Sequence, residues 1–285
     1  MPKRIKRLIR NMVCGPNVYQ ARRTGAQDLQ AMLDRLHPVA GSRALVRLGL
    51  PGDGGYLVPD DLEGIEACFS PGVDQISGFE KECADRGMKV FLADHSVDGT
   101  PDTHGLFHFT QKYIGVTTNS TFMTLDDWVA SSLPDSDGEL MLQIDIEGFE
   151  YEVFLAASDQ LMKRFRIIVA EFHQLDQVWN RPFFGLWSRV FDKLLQTHYC
   201  VHNHPNNYYG SLKHRGIEIP FLTEMTFHRR DRVERPTFAR TFPHPLDNDN
   251  TDNPPLPLPP CWYAGDNADL RERELAAAAD SPTEK

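Results

Sequence analysis

Across residues 44–230 the chain alternates short apolar runs with stretches of helical periodicity. That order calls for a parallel α/β sheet and disfavours both a helix bundle and an all-β sandwich. "IEACFS" (65–70) reads as a strand, "QISGFEKECADRG" (75–87) as a helix closed by Gly87, and "MKVFLAD" (88–94) as the next strand. "TLDDWVASSL" (124–133) reads as a helix with Thr124 as its N-cap. "ELMLQID" then reads as a strand, "FEYEVFLAASDQLMKRF" as one helix and "RIIVAEFH" as a strand. In that helix Tyr151, Phe154, Leu155, Ser158 and Met162 fall on one face, which should cover the sheet. "FGLWSRVFDKLLQTHY" continues as a helix, and "IPFLTEMTFHRR" closes the domain as a strand.

Ligands of open α/β sheets sit beyond the carboxyl ends of the strands. Asp94 closes one predicted strand and Asp145 another, and the stretch "LMLQIDIEGFEYEVF" (140–154) sets Asp145, Glu147 and Glu150 within six residues. If this strand runs on to Glu147, then Gln143, Asp145 and Glu147 share one side of it; if it stops earlier, Asp145 and Glu147 lie in the following loop. Both placements put the carboxylates at the rim of the sheet.

With 285 residues, 41% of them hydrophobic, the chain can bury a full core and suits one sizeable domain with extensions. The sequence divides into an N-terminal extension (1–43), a domain (44–235) and a C-terminal linker and tail (236–285). A net charge of -10 argues against a general nucleic-acid binder, because phosphate contacts need clustered Lys and Arg. Cys14, Cys68, Cys83, Cys200 and Cys261 are scattered without a C-x-x-C pair, which fits a reducing, cytoplasmic compartment. No apolar run nears the roughly 18 residues of a membrane span. The start, "MPKRIKRLIRNMV", fits a frayed basic arm or a weak membrane-surface helix. From residue 243, "PHPLDNDNTDNPPLPLPP" reads as an extended linker or a strap over the domain, and the polar end from 267 holds a short helix former.

"TLDDW", "LMLQIDIEGFEYEVFLAAS" and "IIVAEFH" together resemble the FkbM-type family of S-adenosylmethionine-dependent methyltransferases. "DGGYLVP" (53–59), "HPNNYYG" and "IPFLTEMTF" extend the resemblance over residues 50–230. The resemblance implies a Rossmann-like, seven-stranded, mostly parallel sheet with one antiparallel strand, S-adenosyl-L-methionine as cofactor and O-methylation as the chemistry. It places the cofactor on Ser70, Gly72 and Val73 of the turn "SPGV", on Asp94 and His95, and on Asp145. Two features depart from the family's pattern. Gly72 is the only early glycine of its turn, and Asp94 is followed by His95 where relatives often have proline.

Asp94 stands where an acidic residue can accept both ribose hydroxyls. Asp145 can accept from the cofactor's ammonium or sit near its sulfonium, and Glu147 can orient Asp145 or the substrate. Glu150 reads as an acidic residue favouring the positive end of the next helix. His173, two residues after Glu171, is the natural base for removing an acceptor proton, with an unperturbed pKa near the working range. Asp145, Glu171 and His173 also form an oxygen-rich set that suits Mg²⁺ or Mn²⁺. "HYCVHNHPNNYYG" (198–210) reads as a substrate-facing loop in which Tyr208 and Tyr209 stack on a sugar or ring, or serve the rim. The expected activity is methyl transfer to a hydroxyl of a carbohydrate or small polar metabolite, with a catalytically inactive, methyltransferase-like binding module as the rival. A nicotinamide-dependent enzyme would need the G-x-G-x-x-G turn that is missing here.

Overall fold

The computed structural model describes residues 21–73, 76–266 and 268–270. The basic start and nearly all of the helix-forming stretch after residue 267 lie outside these residues. Seven strands form the central sheet: β1 (Ala67–Pro71), β2 (Lys89–Ala93), β3 (Phe107–Thr110), β4 (Leu140–Ile144), β5 (Phe165–Phe172), β6 (His198–Pro205) and β7 (Thr223–Arg229). Their order is β3-β2-β1-β4-β5-β7-β6. β7 runs antiparallel to both neighbours while the other pairs are parallel, as the resemblance implied. The helices are α1 (Ala26–Arg35), α2 (Gly78–Asp85), α3 (Leu125–Ser132), α4 (Glu150–Ala156), α5 (Asp159–Arg164) and α6 (Arg181–Thr197).

Every residue of β1, β4 and β5 is buried, because helices and hairpins cover both faces of the sheet. Successive side chains go to opposite faces. Phe69, Leu142 and Ile168 join one apolar cluster with Trp128 of α3, Phe154 of α4, and Trp187 and Phe191 of α6. Cys68, Met141 and Ile167 join the other, with Phe79 of α2 and Val58 of the hairpin formed by Leu45–Leu48 and Tyr56–Pro59. Each large apolar side chain so buried contributes about 1.5–3 kcal/mol.

Three expectations are corrected. The stretch 149–165 is two helices, not one. Ala157 and Ser158 take extended backbone angles, Ser158 Oγ caps α5 by accepting from the Leu161 N–H at 3.1 Å, and Asp126 holds the Ser158 N–H at 2.9 Å. Ser158 is therefore exposed, and Val153 and Leu161 join Tyr151, Phe154 and Met162 in the core. The stretch 198–210 begins as the buried strand β6 and becomes a turn only after Pro205. The predicted strand over 219–230 is broken, since Ile219 and Pro220 belong to Ile217–Pro220, which pairs with Ser211–His214, and β7 begins only at Thr223.

β1 stays paired with β2 up to Pro71 but leaves β4 after Phe69. The chain passes from β1 outward to β3 and resumes with β4 on the other side of β1, so a crevice opens where the strand order reverses. The stretch from residue 243 lies over the far end of this edge. Asn207 Nδ2 donates to the carbonyls of Thr251 at 3.0 Å and Asn253 at 2.9 Å, and Asp247 accepts from His202 Nε2 at 2.9 Å. Further along, Trp262 is fully buried in the first cluster, its indole N–H donating to Glu218 O at 3.0 Å. Among the described residues no helix is long and apolar enough to cross a membrane.

Candidate active site

A cleft of about 1030 Å³ runs along the carboxyl ends of the strands. Gly72 follows β1 with φ of +92°, and a Cβ there would fall 1.7 Å from the Asp145 carbonyl oxygen, so only glycine lets the two strand ends meet. Asp94 follows β2. Its Oδ2 accepts from the Val73 N–H at 3.1 Å, and its Oδ1 from the Ser96 N–H and hydroxyl, each at 2.6 Å. A carboxylate offers about four acceptor positions, so these bonds leave one, enough for one ribose hydroxyl instead of the two expected.

Gly72, Val73, Asp94, Asp145, Glu147 and His173 all line the cleft. Ser70 and His95 do not. Ser70 is buried beneath the floor, its hydroxyl 2.7 Å from Glu80 Oε1 and 2.6 Å from Gln143 Oε1. His95 is exposed, and its ring packs edge-on against Tyr113 at 5.2 Å, bracing a residue that does line the cleft.

Strand β4 ends at Ile144, so Asp145 and Glu147 lie in the loop to α4. Glu147 has φ of +59° and Gly148 of +100°, and this left-handed turn sends the backbone N–H groups of Ile146 and Gly148 to Glu150 Oε1, each at 3.1 Å. The same oxygen lies 3.1 Å from His173 Nδ1. The other ring nitrogen, Nε2, is 3.5 Å from Glu147 Oε2 and 3.8 Å from Asp145 Oδ1. The Tyr151 hydroxyl donates to the His173 carbonyl at 2.6 Å and fixes the backbone there. Burial pulls the His173 imidazole down, but Glu150, Asp145 and Glu147 outweigh it and hold the group above its usual value.

Asp145 faces Glu171, which Asn206 Nδ2 reaches at 2.8 Å. Burial, and then the charge of Asp145, push the Glu171 carboxyl well above the usual carboxylate range. One ligand atom each from Asp145, Glu171 and His173 lie within 4.8 Å of one another, and that donor set could hold a hard divalent cation. Beyond them the cleft is walled by Asn206, Tyr208, Tyr209, Asn250 and Thr251. The two tyrosines are exposed at the rim, their rings in edge contact at 4.6 Å.

Residues 72–200 match the family described as the methyltransferase FkbM domain. They form an FkbM-type methyltransferase domain. No curated protein matches the chain. The FkbM match begins at the glycine that meets Asp145 and includes Asp94, Glu147, Glu150, Glu171 and His173. It leaves outside Asn206, the tyrosine pair, Asn250 and Thr251, the far wall of the cleft. Sequence reasoning missed Glu150 as a partner of His173, and missed Asn250 and Thr251 as cleft residues. The "E-G-x-E" spacing carried a signal for the first, and nothing in the Pro/Asp/Asn-rich composition marked the others.

Proposed function

We propose that the chain is an S-adenosylmethionine-dependent O-methyltransferase acting on a hydroxyl of a carbohydrate or other small polar metabolite. The observation that carries this reading is the convergence of the Gly72 turn, Asp94 and His173 on one cleft inside an FkbM domain. The cleft fits the cofactor. Gly72 leaves its wall as bare backbone, Asp94 retains a free acceptor position, and the volume is at the upper end of the roughly 300–1,000 Å³ of small-molecule sites.

The cofactor supplies an electrophilic methyl group on a sulfonium. Gly72, Val73 and Asp94 would hold its nucleoside end, and Asp145 would accept from its ammonium or stand near its sulfonium. His173 Nε2, when neutral, takes the proton of the acceptor hydroxyl, and Glu147 beside it helps to orient the acceptor. Asn206, Tyr208 and Tyr209 offer an amide and ring faces to a polyhydroxylated acceptor. The unbridged thiols of Cys68, Cys83 and Cys261 support a reducing, cytoplasmic setting.

Calorimetry with S-adenosylmethionine and its demethylated product tests the reading directly, followed by turnover on a panel of hydroxylated sugars and metabolites. Absence of cofactor binding up to millimolar concentration, with the fold intact, would overturn it. Cofactor binding without turnover on any acceptor would favour a methyltransferase-like binding module.

A further inference from the structure

Glu150 is wholly buried at the first position of α4, although a helix-start glutamate ordinarily projects into water. Its Oε1 accepts from two backbone N–H groups, those of Ile146 and Gly148. An oxygen engaged as acceptor by two obligatory donors can take part with His173 Nδ1, 3.1 Å away, only by accepting a third bond. Nδ1 must then carry the hydrogen. In the neutral imidazole the lone pair is left on Nε2, the nitrogen that faces Glu147 and Asp145 in the cleft.

Free imidazole side chains in water favour the opposite arrangement, with the hydrogen on Nε2, and in that form His173 would present a donor to the acceptor hydroxyl. We propose that Glu150 is the positioning residue that holds His173 in its Nδ1–H form and so turns a bare nitrogen toward the methyl acceptor. The sequence builds this in three parts. The left-handed pair Glu147 and Gly148 aims two N–H groups inward, Glu150 collects them, and Tyr151 anchors the His173 carbonyl from the next position. One carboxylate thus ties the β4 loop to the end of β5 and selects a tautomer. A carboxylate that only braced the turn would leave the ring free to choose.

This inference rests on the base role of His173 for its functional meaning, but its test needs neither cofactor nor acceptor. Nitrogen NMR of the full chain at alkaline pH, with His173 assigned through a His173→Asn variant, reads which ring nitrogen is protonated. The expected result is Nδ1 protonated and Nε2 bare. Glu150→Gln keeps a carbonyl oxygen for the same three donors and should retain that pattern, whereas Glu150→Ala should release the ring toward Nε2–H. An Nε2–H signature in the unaltered protein, or an Nδ1–H signature that persists in a folded Glu150→Ala variant, would overturn the proposal. Should Glu150→Ala fail to fold, the unaltered protein and Glu150→Gln decide the matter. A failure to bind S-adenosylmethionine would remove the methyltransferase reading while leaving the tautomer measurement intact.

Discussion

His173 combines two opposing demands. A proton acceptor must be neutral, yet three carboxylates around the ring hold its titration above 6.5. Below that pH the ring is protonated and cannot accept, so turnover should rise with pH through a midpoint above 6.5. Glu147→Gln removes one of the negative charges and should move the midpoint down, which a pH–rate profile of both proteins will read. His173→Ala should lower turnover by about 10²–10⁴ with cofactor affinity nearly unchanged. Chelators should have no effect. Activity lost to a chelator and restored by Mg²⁺ or Mn²⁺ would instead assign Asp145, Glu171 and His173 to a cation. Asp94→Ala should weaken cofactor binding on the order of tenfold in calorimetry, for the loss of one charge-assisted bond worth about 1.5 kcal/mol. It should also lower thermal stability, because Val73 and Ser96 lose their acceptor. Asp94 and Asp145 were legible at the residue scale because they end apolar runs. The Glu150 role was not, since its partner lies 23 positions away and only the fold brings them together.

At the scale of elements, the buried strands were readable because both faces are covered and the runs are continuously apolar, as in "IIVA" of β5. Strand β6 escaped notice for the opposite reason. Its His202 is buried as a polar residue whose partner, Asp247, comes from a segment 45 positions later. Apolar periodicity alone could not have revealed it. The break between α4 and α5 was hidden by good helical spacing on either side of it. Ser158 decides it locally, its hydroxyl capping α5 while its backbone departs from the helix. Ser158→Ala removes the cap and the side-chain bond to Asp126, and should cost about 1 kcal/mol in urea denaturation, with m unchanged. A variant as stable as the unaltered protein would show that the packing of Leu161 and Met162 alone sets the break.

On the scale of the whole molecule, the core draws on segments well outside the sheet. Leu29 of α1 and Trp262 lie in the same cluster as the strand residues Phe69 and Phe172. Trp262→Ala should therefore destabilise the entire domain by about 3–5 kcal/mol, with a single cooperative transition shifted in calorimetry. An early, separate transition would show that the C-terminal segment folds as its own unit. The seven-stranded order also explains why the cleft lies at one edge, since the reversal beside β1 opens a crevice at the carboxyl ends of the strands.

Asn250 and Thr251 follow all seven strands in the chain yet wall the cleft. As the polypeptide emerges in order, the turn at Gly72 and the strand end at Asp94 can assemble while the opposite wall has not yet been synthesised. The two walls of the cleft are thus completed at different times, and a chain interrupted before residue 250 would lack both the Asn250 and Thr251 wall and the Trp262 side chain that the core buries.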